Sequence, residues 1–132
     1  MRYLTLTEVF DTVSQHLLQQ GRRSIEPGAL FPAFRTKTGL RCSLGCLIPD
    51  SVYMPSMEWT VELDENKGAQ RGLWNASLVY ALRLSGIDNR LPGMARLINE
   101  LARCHDRCAP VDWSSELAWI KQQYLSKCEV PA

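Results

Sequence analysis

Four cysteines are the residues of this sequence that are best suited to metal binding or nucleophilic chemistry. Cys42 and Cys46 are four residues apart in RCSLGCLIPD, and Cys104 and Cys108 repeat that spacing in ARCHDRCAP. A step of four residues returns a side chain to the same side of a helix or a strand, so each pair shares one face. Four thiolates from two such pairs would suit a tetrahedral zinc ion, with sulfur ligands at about 2.3 Å.

Three interpretations of these cysteines are open: a zinc site at Cys42, Cys46, Cys104 and Cys108, disulfides, or buried reduced thiols. Structural zinc sites more often place two residues between the cysteines than three. Free cysteine is also among the most buried residue types. We therefore expect buried thiols and no cofactor, with zinc as the alternative. The fifth cysteine, Cys128, lies among polar residues near the C-terminus, and we expect it to be exposed.

A His-Asp doublet, His105-Asp106, is the second chemical feature. Metal-dependent phosphohydrolases with such doublets need further histidines, and this chain has only one other, His16. A thiol–imidazole pair would form if Cys42 or Cys46 faced His105, but it would need a lowered thiol pKa. The weak catalytic candidates are Cys42, Cys46, His105 and Asp106. We expect the His105 ring to make a hydrogen bond at the core instead.

Length and charge restrict the class of protein. The chain has 132 residues, 45% of them hydrophobic, which fits a single compact domain over residues 1–132. Its net charge of +1 argues against a nucleic-acid partner, because phosphate binding usually needs an excess of Lys and Arg. We find no apolar run long enough for a signal peptide or a membrane span, and so expect a cytoplasmic protein.

Helical periodicity marks both ends of the chain. Thr5 and Glu8 form a capping-box pattern ahead of a predicted helix over residues 6–20, which Gly21 ends. A second helix is predicted from Trp74 to the residue before Gly86. A third follows Pro92, with an apolar stripe that reaches His105 and Cys108, and a fourth follows Asp112.

The middle of the chain, residues 21–58, loses the helical period and is punctuated by Pro and Gly. Residues 33–35 and 40–48 could pair as a hairpin around residues 36–39, and residues 60–63 could add a short strand. We therefore predict an α+β fold, mostly α, with about four helices packed around a short β-hairpin.

The most promising binding surface in the sequence combines aromatic residues with methionines. Tyr53, Met54, Met57 and Trp59 cluster in the loop-rich middle of the chain. Aromatic residues and Met are typical anchors of protein interfaces, although a loop also uses them to attach itself to the core. These four residues are the predicted partner-binding surface.

One segment carries a resemblance to other proteins. The pattern C-x3-C-L-I-P-D-x2-Y-x3-M-E, Cys42 to Glu58, resembles a group of short uncharacterised proteins of bacteria and phages. That group is similar to this chain also in an E-V/I-F-D-T-V segment, here residues 8–13, and in a late helix with His-Asp. The resemblance implies a phage or prophage setting, in which small accessory proteins bind and modulate a host or defence protein.

The sequence thus favours a non-enzymatic module that binds a protein partner. A small hydrolase or transferase with a Cys/His site is the first alternative. A zinc-stabilised domain that contacts nucleic acid is the second.

Overall fold

A computed structural model describes residues 2–57 and 76–125 of the chain. Within these ranges the chain forms four α-helices: α1 (Leu6–Gln20), α2 (Ala76–Leu84), α3 (Met94–Arg107) and α4 (Trp113–Ile120). Three 3₁₀ turns (Gly45–Leu47, Pro55–Met57 and Pro110–Asp112) and a π-helical turn (Lys121–Leu125) complete the regular structure there. The prediction of a mostly helical fold is confirmed.

The first helix begins and ends as its sequence predicts. The Glu8 amide donates to the Thr5 hydroxyl over 3.1 Å, and the Glu8 carboxylate accepts the Thr5 amide over 2.9 Å, which completes the capping box. Gly21 ends the helix with φ 68°, a conformation that favours glycine. The predicted stripe is buried: Leu6, Val9, Phe10, Val13 and Leu17.

Helices α3 and α4 supply much of the rest of the core. α3 begins at Met94, two residues after Pro92, with Gly93 at its N-cap. Its buried face includes Leu97, Leu101 and His105, and α4 adds Trp113. Leu97, Leu101 and Trp113 join side chains of α1, α2 and the 42–48 segment in one hydrophobic cluster. Trp74 and the predicted strand over residues 60–63 lie outside the described residues.

The predicted β-hairpin is wrong. Across residues 2–57 and 76–125 there is no β-strand, and the 33–48 segment makes only an isolated antiparallel bridge between Arg35 and Arg41. The side-chain amide of Gln20 binds the backbone of Arg41, accepting its N–H over 2.8 Å and donating to its carbonyl over 2.9 Å. The Cys42 carbonyl accepts the Cys46 amide over 3.0 Å, so the chain turns into a 3₁₀ helix at Gly45 where a longer ladder would have to continue.

Gly45 packs directly against the backbone of Phe34. A Cβ atom at position 45 would overlap the Phe34 carbonyl oxygen, so no larger residue fits without moving the main chain. The same carbonyl accepts the Cys42 amide over 3.2 Å. This contact fixes the 42–48 segment beneath residues 32–36.

None of the helices in the described parts of the chain has the length and apolar character needed to cross a bilayer.

Candidate functional site

His105, in the last turn of α3, is completely buried and fully hydrogen-bonded. Its Nε2 accepts the backbone N–H of Ser24 over 2.9 Å, and its Nδ1 lies 2.6 Å from the Asp106 carboxylate. A backbone N–H can only donate, so Nε2 is the acceptor and Nδ1 carries the proton that it donates to Asp106. The expected core hydrogen bond of His105 is therefore present.

The order Asp106–His105–Ser24 superficially matches a catalytic relay, but the geometry differs at its last member. The Nε2 atom faces the backbone N–H of Ser24, whereas a general base would face a hydroxyl or thiol. Ser24 and His105 are both shielded from solvent. The arrangement therefore ties residues 22–24 to the end of α3 and offers no free base to a substrate.

Two further side chains strengthen this attachment, which we call the loop base (Arg23, Ser24, His105 and Trp113). Arg23 donates to the carbonyl oxygens of His105 and Cys108 over 3.2 and 2.7 Å. A cation at these last carbonyls complements the helix dipole. The Trp113 ring stacks on the His105 ring with centroids 5.6 Å apart.

The first cysteine pair stabilises the turn at residues 42–46. The Cys42 sulfur accepts the Gly45 amide over 3.3 Å, and the Cys46 thiol donates to the Ser43 carbonyl over 3.1 Å. Burial raises the pKa of the Cys42 thiol well above its ordinary value and that of Cys46 to about 12. A cavity beside Cys42 has a volume of only about 20 Å³, room for about one water.

The second pair lies at the end of α3. Burial raises the pKa of the Cys104 thiol to about 12. The pKa of the Cys108 thiol is also raised, first by burial and then by its hydrogen bond to Glu116, at 3.4 Å. Thiols with raised pKa values stay protonated at neutral pH and are poor nucleophiles.

The four predicted ligands do not form a metal centre here. In the described part of the chain, which includes Cys42, Cys46, Cys104 and Cys108, no three His, Cys, Asp or Glu residues come together as a group that could hold a metal ion. These cysteines are free thiols. Cys128 lies outside the described residues.

An open groove of about 700 Å³ lies beside the loop that follows the loop base, and we call it the apolar groove. Its walls come from residues 26–37 and from Tyr53. The loop that forms one wall is closed where the Ala33 amide donates to the Ser24 carbonyl over 2.8 Å. At its tip, Leu30 is 85% exposed and Phe31 is 38% exposed. The groove therefore presents apolar side chains to solvent from a loop whose ends are held in place.

The predicted partner-binding residues divide between surface and core. Tyr53 lies on the groove wall, with the Arg35 guanidinium 4.2 Å from its ring centroid. Met54 is 38% exposed outside the groove lining, whereas Met57 is fully buried and cannot contact a partner. Trp59 lies outside the described residues.

Leu30 and Phe31 were missed as site residues in the sequence. The available signal was an adjacent apolar pair in a loop bounded by Pro27-Gly28 and Pro32, with no helical or strand periodicity to bury it. Charged side chains line the same groove, among them Arg35 and Lys37. The Asp50 carboxylate binds Arg35 and Arg41 together, at 2.6 and 3.1 Å.

Comparisons of the chain with known protein families, curated proteins and solved structures found no match.

Proposed function

We propose that the chain is a non-enzymatic interaction module that binds a protein partner through the apolar groove. The observation that carries this proposal is the exposure of Leu30 and Phe31 on a loop whose base is buried and hydrogen-bonded. Burial of one large apolar side chain contributes about 1.5–3 kcal/mol, and a partner can supply that burial. Exposed apolar side chains beside a concave surface are typical of interface anchors.

The rigidity of the loop supports the same proposal. The Ser24 amide donates to the His105 ring and the Ala33 amide donates to the Ser24 carbonyl, so both ends of the loop are held in one position. A binding surface that is already ordered loses less conformational entropy when a partner arrives. The exposed side chains are thus presented in advance of binding.

The chemistry of the alternative, a Cys/His enzyme, has less support. The thiols of Cys42 and Cys46 have raised pKa values, and the acceptor nitrogen of His105 binds a backbone amide. An activated cysteine needs a lowered pKa and a base with a free acceptor. Neither condition holds for these residues.

Capture of partners with matched surface variants tests the proposal. Leu30→Asp replaces an apolar side chain of the groove by a charged one. Val111→Asp makes the same kind of change at a side chain that is 87% exposed and does not line the groove. The resemblance to short bacterial and phage proteins directs the search to bacterial lysates, with bound proteins identified by mass spectrometry. We expect wild type and Val111→Asp to retain the same partner, and Leu30→Asp to lose it.

The proposal fails if all three proteins retain the same partner, or if the Leu30→Asp and Val111→Asp proteins lose it equally. Circular dichroism and thermal unfolding of each variant must match wild type, so that a lost partner reports on the surface and not on folding.

A further inference from the structure

We propose that the apolar groove takes an acidic peptide segment of the partner, with a large apolar side chain close to one or more carboxylates. This inference rests on the proposed function and adds the chemistry of the ligand. The apolar part follows from Leu30 and Phe31, and the acidic part follows from the charges around them.

The groove region carries an excess of positive charge that the whole chain does not show. Residues 21–55 contain five basic side chains and two acidic ones: Arg22, Arg23, Arg35, Lys37, Arg41, Glu26 and Asp50. The chain as a whole has a net charge of only +1. Of this set, Arg35, Lys37 and Glu26 line the groove, so its lining has one more cation than anion and favours a partner of complementary charge.

Both acidic side chains of this region already accept hydrogen bonds from groups within it. Asp50 accepts from both Arg35 and Arg41, so one carboxylate serves two guanidinium groups. The Glu26 carboxylate accepts the backbone amide of Lys37 over 2.9 Å. Arg35, Lys37 and Arg41 set against Glu26 and Asp50 leave an excess of one positive charge.

Lys37 is the cation best placed to meet a carboxylate from outside. It lines the groove, its side chain is exposed, and its ammonium makes no ion pair with any residue in the described ranges. Leu30 lines the same groove. A ligand that satisfies both must combine an apolar group with a carboxylate, which is the composition of an acidic peptide motif.

A nucleic-acid strand would also bring negative charge, but the walls of the groove favour a peptide. The Arg35 guanidinium already covers one face of the Tyr53 ring, which reduces the surface available for a base to stack. Leu30, the most exposed apolar residue of the groove, offers no stacking face.

Selection from a random-peptide display library on the immobilised full chain tests the inference. We expect enriched peptides to contain Trp, Phe or Leu flanked by Asp or Glu. Their binding should weaken as salt rises, because exposed charges are screened. A selection that enriches no peptide, or peptides without an excess of acids, overturns the inference.

Two lysine variants then locate the contact. Lys37→Glu should weaken binding of the best acidic peptide roughly tenfold, since it replaces a charge attraction by a repulsion. Lys121→Glu makes the same change at an exposed lysine outside the groove lining and should leave the affinity unchanged. Equal effects of the two variants contradict the inference, as does tighter binding of an oligonucleotide than of the peptide.

These results separate the two proposals. If Leu30→Asp abolishes partner capture but the selected peptides are not acidic, the groove is the binding site and only the ligand chemistry is wrong. If Leu30→Asp has no more effect than Val111→Asp, the proposed function itself is wrong.

Discussion

The base and the tip of the loop over residues 24–33 are built in opposite ways. At the base, Ser24 is completely buried and its amide binds His105. At the tip, Leu30 is 85% exposed. The base uses buried hydrogen bonds to position a tip that keeps its apolar side chains in solvent. The comparison suggests that changes at the base alter folding, whereas changes at the tip alter binding.

The largest expected effect comes from breaking the base at His105. His105→Ala leaves the Ser24 amide without its acceptor and opens a cavity beside Trp113. A buried donor without a partner costs about 1–3 kcal/mol, and the cavity adds to that cost. We expect a loss of about 3 kcal/mol in the free energy of unfolding, measured by urea denaturation.

The other histidine provides the control for that experiment. His16 is half-buried, and its Nε2 hydrogen-bonds to the Arg41 carbonyl over 2.9 Å. His16→Ala should cost about 1 kcal/mol, the value of one ordinary hydrogen bond. Similar losses for the two variants would mean that the base is no more stabilising than the rest of the fold.

A smaller effect is expected at Arg23, the second residue of the base. Arg23→Ala removes the two hydrogen bonds to the carbonyls at the end of α3, and we expect a loss of about 1.5 kcal/mol. Arg22→Ala alters an exposed neighbour and should change the free energy of unfolding by less than about 0.5 kcal/mol. Thermal unfolding compares them, and equal melting temperatures would show that Arg23 does not secure the loop.

Raising the pH tests how much the buried thiols contribute to stability. Cys46 and Cys104 have pKa values raised to about 12, so the folded protein keeps protons that the unfolded chain releases at its ordinary thiol pKa near 9. Their contribution to stability is complete below pH 9 and is lost as the pH rises from 9 to 12, by up to about 1.4 kcal/mol per thiol and pH unit.

Urea denaturation at pH 8 and pH 10 measures this effect. The loss between the two values should be smaller in Cys104→Ala, because that variant has one buried thiol fewer. An unchanged pH dependence in Cys104→Ala would contradict the assignment of Cys104 as a buried protonated thiol.

The smallest effect on stability is expected at the tip. Leu30→Ala removes a side chain that is almost fully exposed, and the free energy of unfolding should change by less than about 0.5 kcal/mol. The same variant should weaken binding of the acidic peptide. A loss of stability as large as that of Arg23→Ala would mean that Leu30 packs against the protein, and the distinction between base and tip would not hold.

The parts of the fold that could be predicted from the sequence are those that local pattern determines. The capping box at Thr5 and Glu8, the buried stripe of α1 and the burial of His105 follow from spacing and residue type. The hairpin could not be excluded in this way. Its failure depends on packing between residues distant in sequence, because Gly45 lies against the Phe34 backbone and the chain turns into a 3₁₀ helix there.

The candidate site was harder to predict for the same reason. Aromatic residues and methionines mark a binding surface only if they are exposed, and exposure depends on packing across the whole chain. Met57 is buried by that packing, whereas Tyr53 reaches the groove. The apolar pair Leu30-Phe31 between Pro27-Gly28 and Pro32 does not by itself reveal exposure, which depends on how the loop packs against the rest of the protein.

The contact between Gly45 and the Phe34 carbonyl affects how a saturation mutagenesis screen for binding would be interpreted. Because no side chain fits there, every substitution at position 45 should abolish binding, although Gly45 does not line the groove. A screen scored only by binding would therefore rank this buried glycine above Lys37. A parallel measurement of cellular protein level would separate the two positions, since loss at Gly45 reduces the amount of folded protein and loss at Lys37 does not.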